Sequence, residues 1–206
     1  HREEYIRVNV YVDEFYLAYL EHEDFEKSLS EIIAFIEEHT IPKEQGNDLR
    51  QALCNWDAVK SYIYPALLSA GRNQELLQDM PCRSFLDLAI IYMVHVPQEG
   101  IHGVMKISKG IMKLWGISED ELHQTAMENQ KKERYEIKSF GDIISGMGIA
   151  LEEESEGLGL CPMYILSNQE NYYGAAGVLD HSLLAEFAEK LQKNLYLLPA
   201  SVHEFI

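Results

Sequence analysis

Apolar and polar positions alternate along residues 5–12, "YIRVNVYV", a period of two that predicts a strand. The period then lengthens. Ser28 and Glu31 stand at capping-box spacing, and Ile32, Ile33, Phe35 and Ile36 follow as an apolar stripe. This predicts a helix from Ser28 to about His39, stopped before Pro42. In residues 47–64, Leu49, Leu53, Trp56, Val59 and Ile63 fall on one side of a second predicted helix, which Pro65 and Gly71 punctuate. "RNQELLQDM" (72–80) reads as a short helix.

Beyond residue 80 the pattern becomes strand-like. A buried strand is predicted over 84–96, then a turn at "PQEG" (97–100) and a second strand over 101–107. Ser108 caps a short helix ending at Gly116, and Ser118 with Glu121 opens another that runs through about Gln130. "RYEIK" (134–138) reads as a strand, and Ser139 caps a short helix through about Gly146. Residues 147–160, rich in Gly and Glu, read as a mobile loop. "PMYILS" (162–167) and "YYGAAGVL" (172–179) are predicted as two strands around the turn "NQEN". Asp180 then caps a helix whose Leu183, Leu184, Phe187, Ala188 and Leu191 face the core, and "LYLL" (195–198) is a last strand.

These elements predict an α+β fold, mainly antiparallel sheet with packed helices, in a single domain over 1–206. Residues 1–80 form its mostly helical part. Residues 81–206 read as two related strand–strand–helix units, because "PQEGIHG" (97–103) resembles "NQENYYG" (168–174) and each leads to a helix cap, Ser108 or Asp180.

Composition adds one unusual fact. Asp and Glu number 34 against 17 Lys and Arg, a net charge of −17. An acidic body repels phosphate backbones, so nucleic acid is not an expected partner. The longest apolar run, "FLDLAIIYMVHV" (85–96), is too short for a bilayer and contains Asp87, so no membrane partner is expected either. No signal-peptide pattern opens the stretch at His1. Cys54, Cys82 and Cys161 are odd in number and widely spaced, which argues against a disulfide framework and points to the cytoplasm.

Candidate chemistry is sparse. The closing "PASVHEFI" (199–206) begins a zinc-protease pattern, but the sequence stops where the second His would stand, so no metal is expected there. Ser201 and Glu204 are spaced as a capping box, with Pro199 ending the ladder of Leu195–Leu198; the competing reading is a polar binding site of Ser201, His203 and Glu204. "SGMGIA" (145–150) lacks the strand–glycine–helix context of a nucleotide loop, and no cofactor is expected. "EHED" (21–24) reads as a solvated face. Asp87 falls inside an apolar strand, where a carboxylate is a structural ion pair, a strand-end residue or a functional acid in a cleft. His95 and His102 flank the "PQEG" turn and read as a solvated or hydrogen-bonded pair.

Four stretches, "RNQELLQDMPCRSFLDLAIIYMV" (72–94), "KLWGISEDELHQTAMEN" (113–129), "MYILSNQENYYGAAGVLD" (163–180) and "LYLLPASVHEFI" (195–206), resemble an uncharacterised bacterial family of anaerobic gut bacteria, a domain of unknown function. Its motifs are of the FLDLAI, LWGVSEEEL and closing LPSS-HE type. The resemblance implies no assigned chemistry, and it implies residues upstream of this stretch. The ending departs from the motif, reading Pro199-Ala200-Ser201, which removes one hydroxyl. Two functions follow as expectations. One is a cytoplasmic, non-catalytic protein that binds a protein or small-molecule partner. The other is a hydrolase or other small-molecule enzyme with Asp87, His203 and Glu204 in one polar cleft.

Overall fold

The computed structural model describes residues 13–22, 24–39, 43–96, 103–146 and 163–206. The chain divides into two compact units, 1–55 and 56–206. The strand expected over 5–12 lies outside the described residues.

The first unit is helical: α1 (Asp13–His22), α2 (Phe25–His39) and α3 (Lys43–Leu53). Helix α2 starts earlier than the capping-box pattern suggests. Asp24 Oδ1 accepts the N–H of Lys27 at 3.0 Å, and Ser28 Oγ folds back onto the Asp24 carbonyl at 3.1 Å. An acidic cap one turn upstream competes successfully with Ser28, whose hydroxyl is then free to bond a backbone carbonyl four residues back. Phe15 of α1 meets Phe35 of α2 edge to face, with ring centres 5.6 Å apart.

The predicted helix over 47–64 is cut. After α3 come α4 (Trp56–Val59), a 3-10 turn (Lys60–Tyr62) and a strand, β1 (Ile63–Ser69), which sequence reasoning missed. Pro65 reads as a helix stop, yet it sits inside β1. It is tolerated because β1 is an edge strand, and the sheet runs β1–β3–β2. Strands β2 (Arg83–Phe85) and β4 (Val104–Lys106) both pair antiparallel with β3 (Leu88–His95), on the side away from β1. The register sets Pro65 against Tyr92, Arg83 against Ile90 and Met93 against Lys106. Residues 88–94 are all buried, as the apolar run demands of a central strand.

The expected strand over 84–96 is therefore a hairpin. Leu86 and Asp87 form its turn, with Leu86 in the left-handed region at φ 55° and 88% exposed. Asp87 is exposed, not buried within a strand, so no interior partner is required of it. A hairpin turn without glycine or asparagine gives no local signal, and the unbroken hydrophobicity hid it.

Beyond α2, the predicted caps Ser108, Ser118, Ser139 and Asp180 fall where the sequence places them. Helix α5 spans Gln74–Gln78. Ser108 Oγ accepts the N–H of Ile111 at 3.2 Å to open α6 (Lys109–Trp115), which Gly116 closes at φ 71°. Ser118 Oγ accepts the N–H of Glu121 at 3.1 Å to open α7 (Glu119–Gln130). Helix α7 packs on β1 through the fully buried Leu122 and Ala126, and Asn129 Nδ2 donates to the carbonyls of Lys60 (2.7 Å) and Ile63 (3.0 Å).

A second, two-stranded sheet joins β5 (Tyr135–Ser139) and β6 (Tyr164–Asn168), antiparallel. Between them α8 (Phe140–Gly146) begins where Ser139 Oγ accepts the N–H of Asp142 at 3.0 Å. The loop expected over 147–160 lies outside the described residues. Asp180 caps α9 (His181–Leu191), its Oδ1 accepting from Ser182 (3.0 Å) and Leu183 (3.2 Å).

Two strand expectations fail here. Residues 174–179 form a 3-10 helix, so the second proposed unit has one strand where the first has two, and the repeat does not hold. The cause is side-chain size. "GAAG" offers no branched or aromatic residue to a pleated surface, and its small residues let the chain coil tightly against β6. Residues 195–198 form no strand either; Leu198 exchanges backbone hydrogen bonds with Ile206 (2.7 and 2.9 Å), Phe205 makes the bridge to Leu166 of β6, and Pro199 bridges Phe205. The fold is α+β with antiparallel sheets. Among the described residues no helix is long and apolar enough to cross a membrane.

Candidate functional site

Strand β6 ends at Asn168, and the next six residues fold into a tight knuckle. Asn168 Oδ1 accepts the N–H of Tyr172 at 2.9 Å while its Nδ2 donates to the Tyr172 carbonyl at 2.9 Å. Asn171 and Tyr173 both adopt positive φ, 51° and 53°. Asparagine visits that region readily; tyrosine does so only when its surroundings hold it there. The holder is His203. Its Nδ1 accepts the Tyr173 N–H at 3.0 Å, its carbonyl accepts Ser167 Oγ at 2.8 Å, and its ring stacks on Tyr172 with centres 5.6 Å apart. Gly174 completes the knuckle, since a Cβ there would meet Ser167 Oγ at 2.3 Å and Asn168 N at 2.4 Å.

This knuckle forms one wall of an open cleft that encloses about 10 Å³. Tyr64 and Pro65 at the start of β1, His95 at the end of β3, and Glu133 and Tyr135 leading into β5 form the rest, facing Asn168, Tyr172 and Tyr173. The rings of Tyr64 and His95 lie with centres 4.7 Å apart. Burial, reinforced by the charge of Glu170, pushes the Glu133 carboxyl above its usual range, and a hydrogen bond from the Asn168 side chain opposes this. Burial pushes the His95 imidazole down, with Glu170 opposing. Burial raises the Tyr64 and Tyr135 phenols, and Glu133 adds to both. The cleft thus pairs a carboxyl displaced upward with an imidazole displaced downward, framed by aromatic faces.

The residues picked from sequence separate. Asp87 and His95 lie at opposite ends of β3, roughly 27 Å apart along an extended strand, so Asp87 is remote from the cleft. Ser201 is exposed, and its Oγ accepts the N–H of His203 at 2.9 Å. It caps a turn, not a helix. The Glu204 carbonyl, and not its carboxylate as a capping box requires, accepts the N–H groups of Ala200 (3.3 Å) and Ser201 (3.2 Å). His203 supports the cleft wall from behind. His95 lines the cleft, whereas His102 is outside the described residues. Glu133, Tyr64, Tyr135 and Asn168 were not picked. Their convergence depends on β1 and on the knuckle, neither of which the sequence pattern displays. Among the described residues, no three His, Cys, Asp or Glu side chains gather as metal ligands do.

The full stretch, residues 1–206, matches the model of a family of unknown function, DUF5688, and the chain belongs to that family. No curated protein and no solved structure matches it.

Proposed function

For this member of a family whose function is unknown, we propose a non-catalytic binding role in the cytoplasm, with a small molecule or a protein partner's side chain seated in the cleft between Tyr64, Glu133 and Tyr173. The observation that carries this reading is convergence. Four separated segments, around 64, 95, 133 and 168–173, bring a carboxyl, an imidazole, an amide and phenols to one concavity, and the knuckle that completes it is held in strained backbone geometry. Strain kept in place by several hydrogen bonds at a concave surface is a mark of functional sites. Cys54 and Cys82 are free thiols, which supports a reducing compartment.

One observation favours a second reading, a hydrolase or other small-molecule enzyme. Burial raises the Glu133 carboxyl in a cleft that also holds His95, and a carboxyl tuned upward is what a general acid or base at neutral pH needs. Asp87 has no part in it. The test is to purify the native protein, extract it, and identify copurifying compounds by mass spectrometry, beside a Tyr64→Ala variant. A compound held by the native protein and lost from the variant is expected. Retention by Tyr64→Ala would place binding elsewhere, and turnover of the compound would favour the enzyme.

A further inference from the structure

Resting on the cleft as the binding site, we propose that its ligand presents an organic ammonium group, received by the Glu133 carboxylate and the faces of the surrounding aromatic rings. The charged side chains that act on Tyr64, His95, Glu133 and Tyr135 are Glu133 itself, Glu170 and Asp180, and all are acids. Neither of the cations nearest in sequence lines the cleft. Lys132 Nζ donates to Asn129 Oδ1 at 3.0 Å, and Arg134 is exposed. Among the described residues, Glu133 is a half-buried carboxylate beside the acid Glu170, an arrangement that is unfavourable until a cation joins it, with the Asn168 side chain compensating only in part.

The walls suit the same charge. Tyr64 and His95 set their ring centres 4.7 Å apart, Tyr172 and Tyr173 theirs 4.8 Å apart, and a ring face attracts ammonium through its quadrupole. Burial keeps the His95 imidazole below its usual range, so it enters the cleft as a neutral ring and not as a competing cation. One carboxylate and one imidazole fall short of the donor sets that zinc or calcium takes, which points to an organic cation. The enclosed space is about 10 Å³, the size of one water, so it admits an ammonium head group alone and the remainder of the ligand lies outside. The net charge of −17 draws cations towards the surface.

The test titrates the chain with n-butylammonium, butyramide and butyrate while the ring signals of Tyr64, Tyr135 and His95 are followed by NMR. Saturable shifts with butylammonium alone are expected, weakened about tenfold or more in Glu133→Gln, the loss of one charge-assisted contact. A melt of Glu133→Gln confirms that the variant is folded. Nα-acetyl-lysine methylamide binding more tightly than butylammonium would identify a protein side chain as the source; equal binding would identify a free amine. Butyramide or butyrate saturating the same signals equally well, or unchanged butylammonium binding by a folded Glu133→Gln, would overturn the ammonium and leave the cleft reading intact. Silence from every probe overturns the ammonium too, and the copurification experiment then decides the cleft separately.

Discussion

His203 Nδ1 accepts the backbone N–H of Tyr173 at 3.0 Å across thirty positions of sequence. That bond, with the stacking of the His203 ring on Tyr172, ties the closing segment to the knuckle that walls the cleft. Ser201 Oγ accepts the N–H of His203, at the exposed side of the same turn. His203→Ala is therefore expected to cost about 1–3 kcal/mol, because it leaves a partly buried N–H unpaired beneath a left-handed tyrosine. Ser201→Ala should cost about 1 kcal/mol or less, the loss of an exposed turn cap. Denaturant melts of the two variants check the order. Equal losses would mean that the imidazole does not hold the knuckle.

A second expectation concerns Gly174. An added Cβ would lie 2.3 Å from Ser167 Oγ, 2.4 Å from Asn168 N and 2.9 Å from His203 O, and two of these three are backbone atoms that cannot rotate away. Gly174→Ala should destabilise by about 1–3 kcal/mol or more, the range for overpacking. Gly71 is the control, since nothing lies within 4 Å of its added Cβ. Gly71→Ala should be near neutral. Thermal denaturation of the pair decides, and a well-tolerated Gly174→Ala would show that the knuckle yields.

The contrast between those glycines also shows what the sequence could reveal. Caps were legible, because Ser108, Ser118, Ser139 and Asp180 act on backbone groups two or three residues away. The apolar strand around Ile91 was legible because burial on both faces needs no partner to be recognised. What failed was whatever long-range packing decides. Pro65 looks the same in a helix stop and in an edge strand, and only the pairing with Tyr92 settles it. "YYGAAGVL" alternates too weakly to be a strand once β6 and the Tyr135 ring crowd Gly177, whose added Cβ would lie 2.6 Å from Tyr135 Cδ1. The cleft inherits both gaps, since Tyr64 stands on the missed strand and Tyr173 on residues read as a strand that fold into the knuckle after the predicted turn.

Leu86 offers a gain of stability. It sits in the β2–β3 turn at φ 55° with 88% of its surface exposed, so it contributes little packing in return for a backbone conformation that disfavours a branched side chain. Leu86→Gly should raise stability by up to about 1 kcal/mol, offset in part by glycine's greater freedom in the unfolded chain. Asp87→Asn beside it should be neutral, as expected of an exposed turn residue remote from the cleft. A melt of Leu86→Gly below that of the parent would show that Leu86 packs against something.

The last expectation is a pH dependence centred on Glu133. In the folded chain, burial and Glu170 raise its carboxyl above the usual 4.5. The folded state therefore binds that proton more tightly than the unfolded chain does. Its contribution to stability is fully present below the unfolded value and is lost as pH rises through the folded one. His95 acts in the other direction. Burial lowers its imidazole below the usual 6.5, so its contribution is present above that value and is lost as pH falls through the folded one. Glu133→Gln removes the first effect and keeps the shape of the side chain. Relative to the parent, the variant should be more stable at about pH 7 than at about pH 4, where the parent carboxyl is largely protonated in both states. Paired melts across that range measure the difference directly. A stability difference that stays constant with pH, or grows towards acid, would mean that Glu133 is already neutralised by a cation in the folded protein.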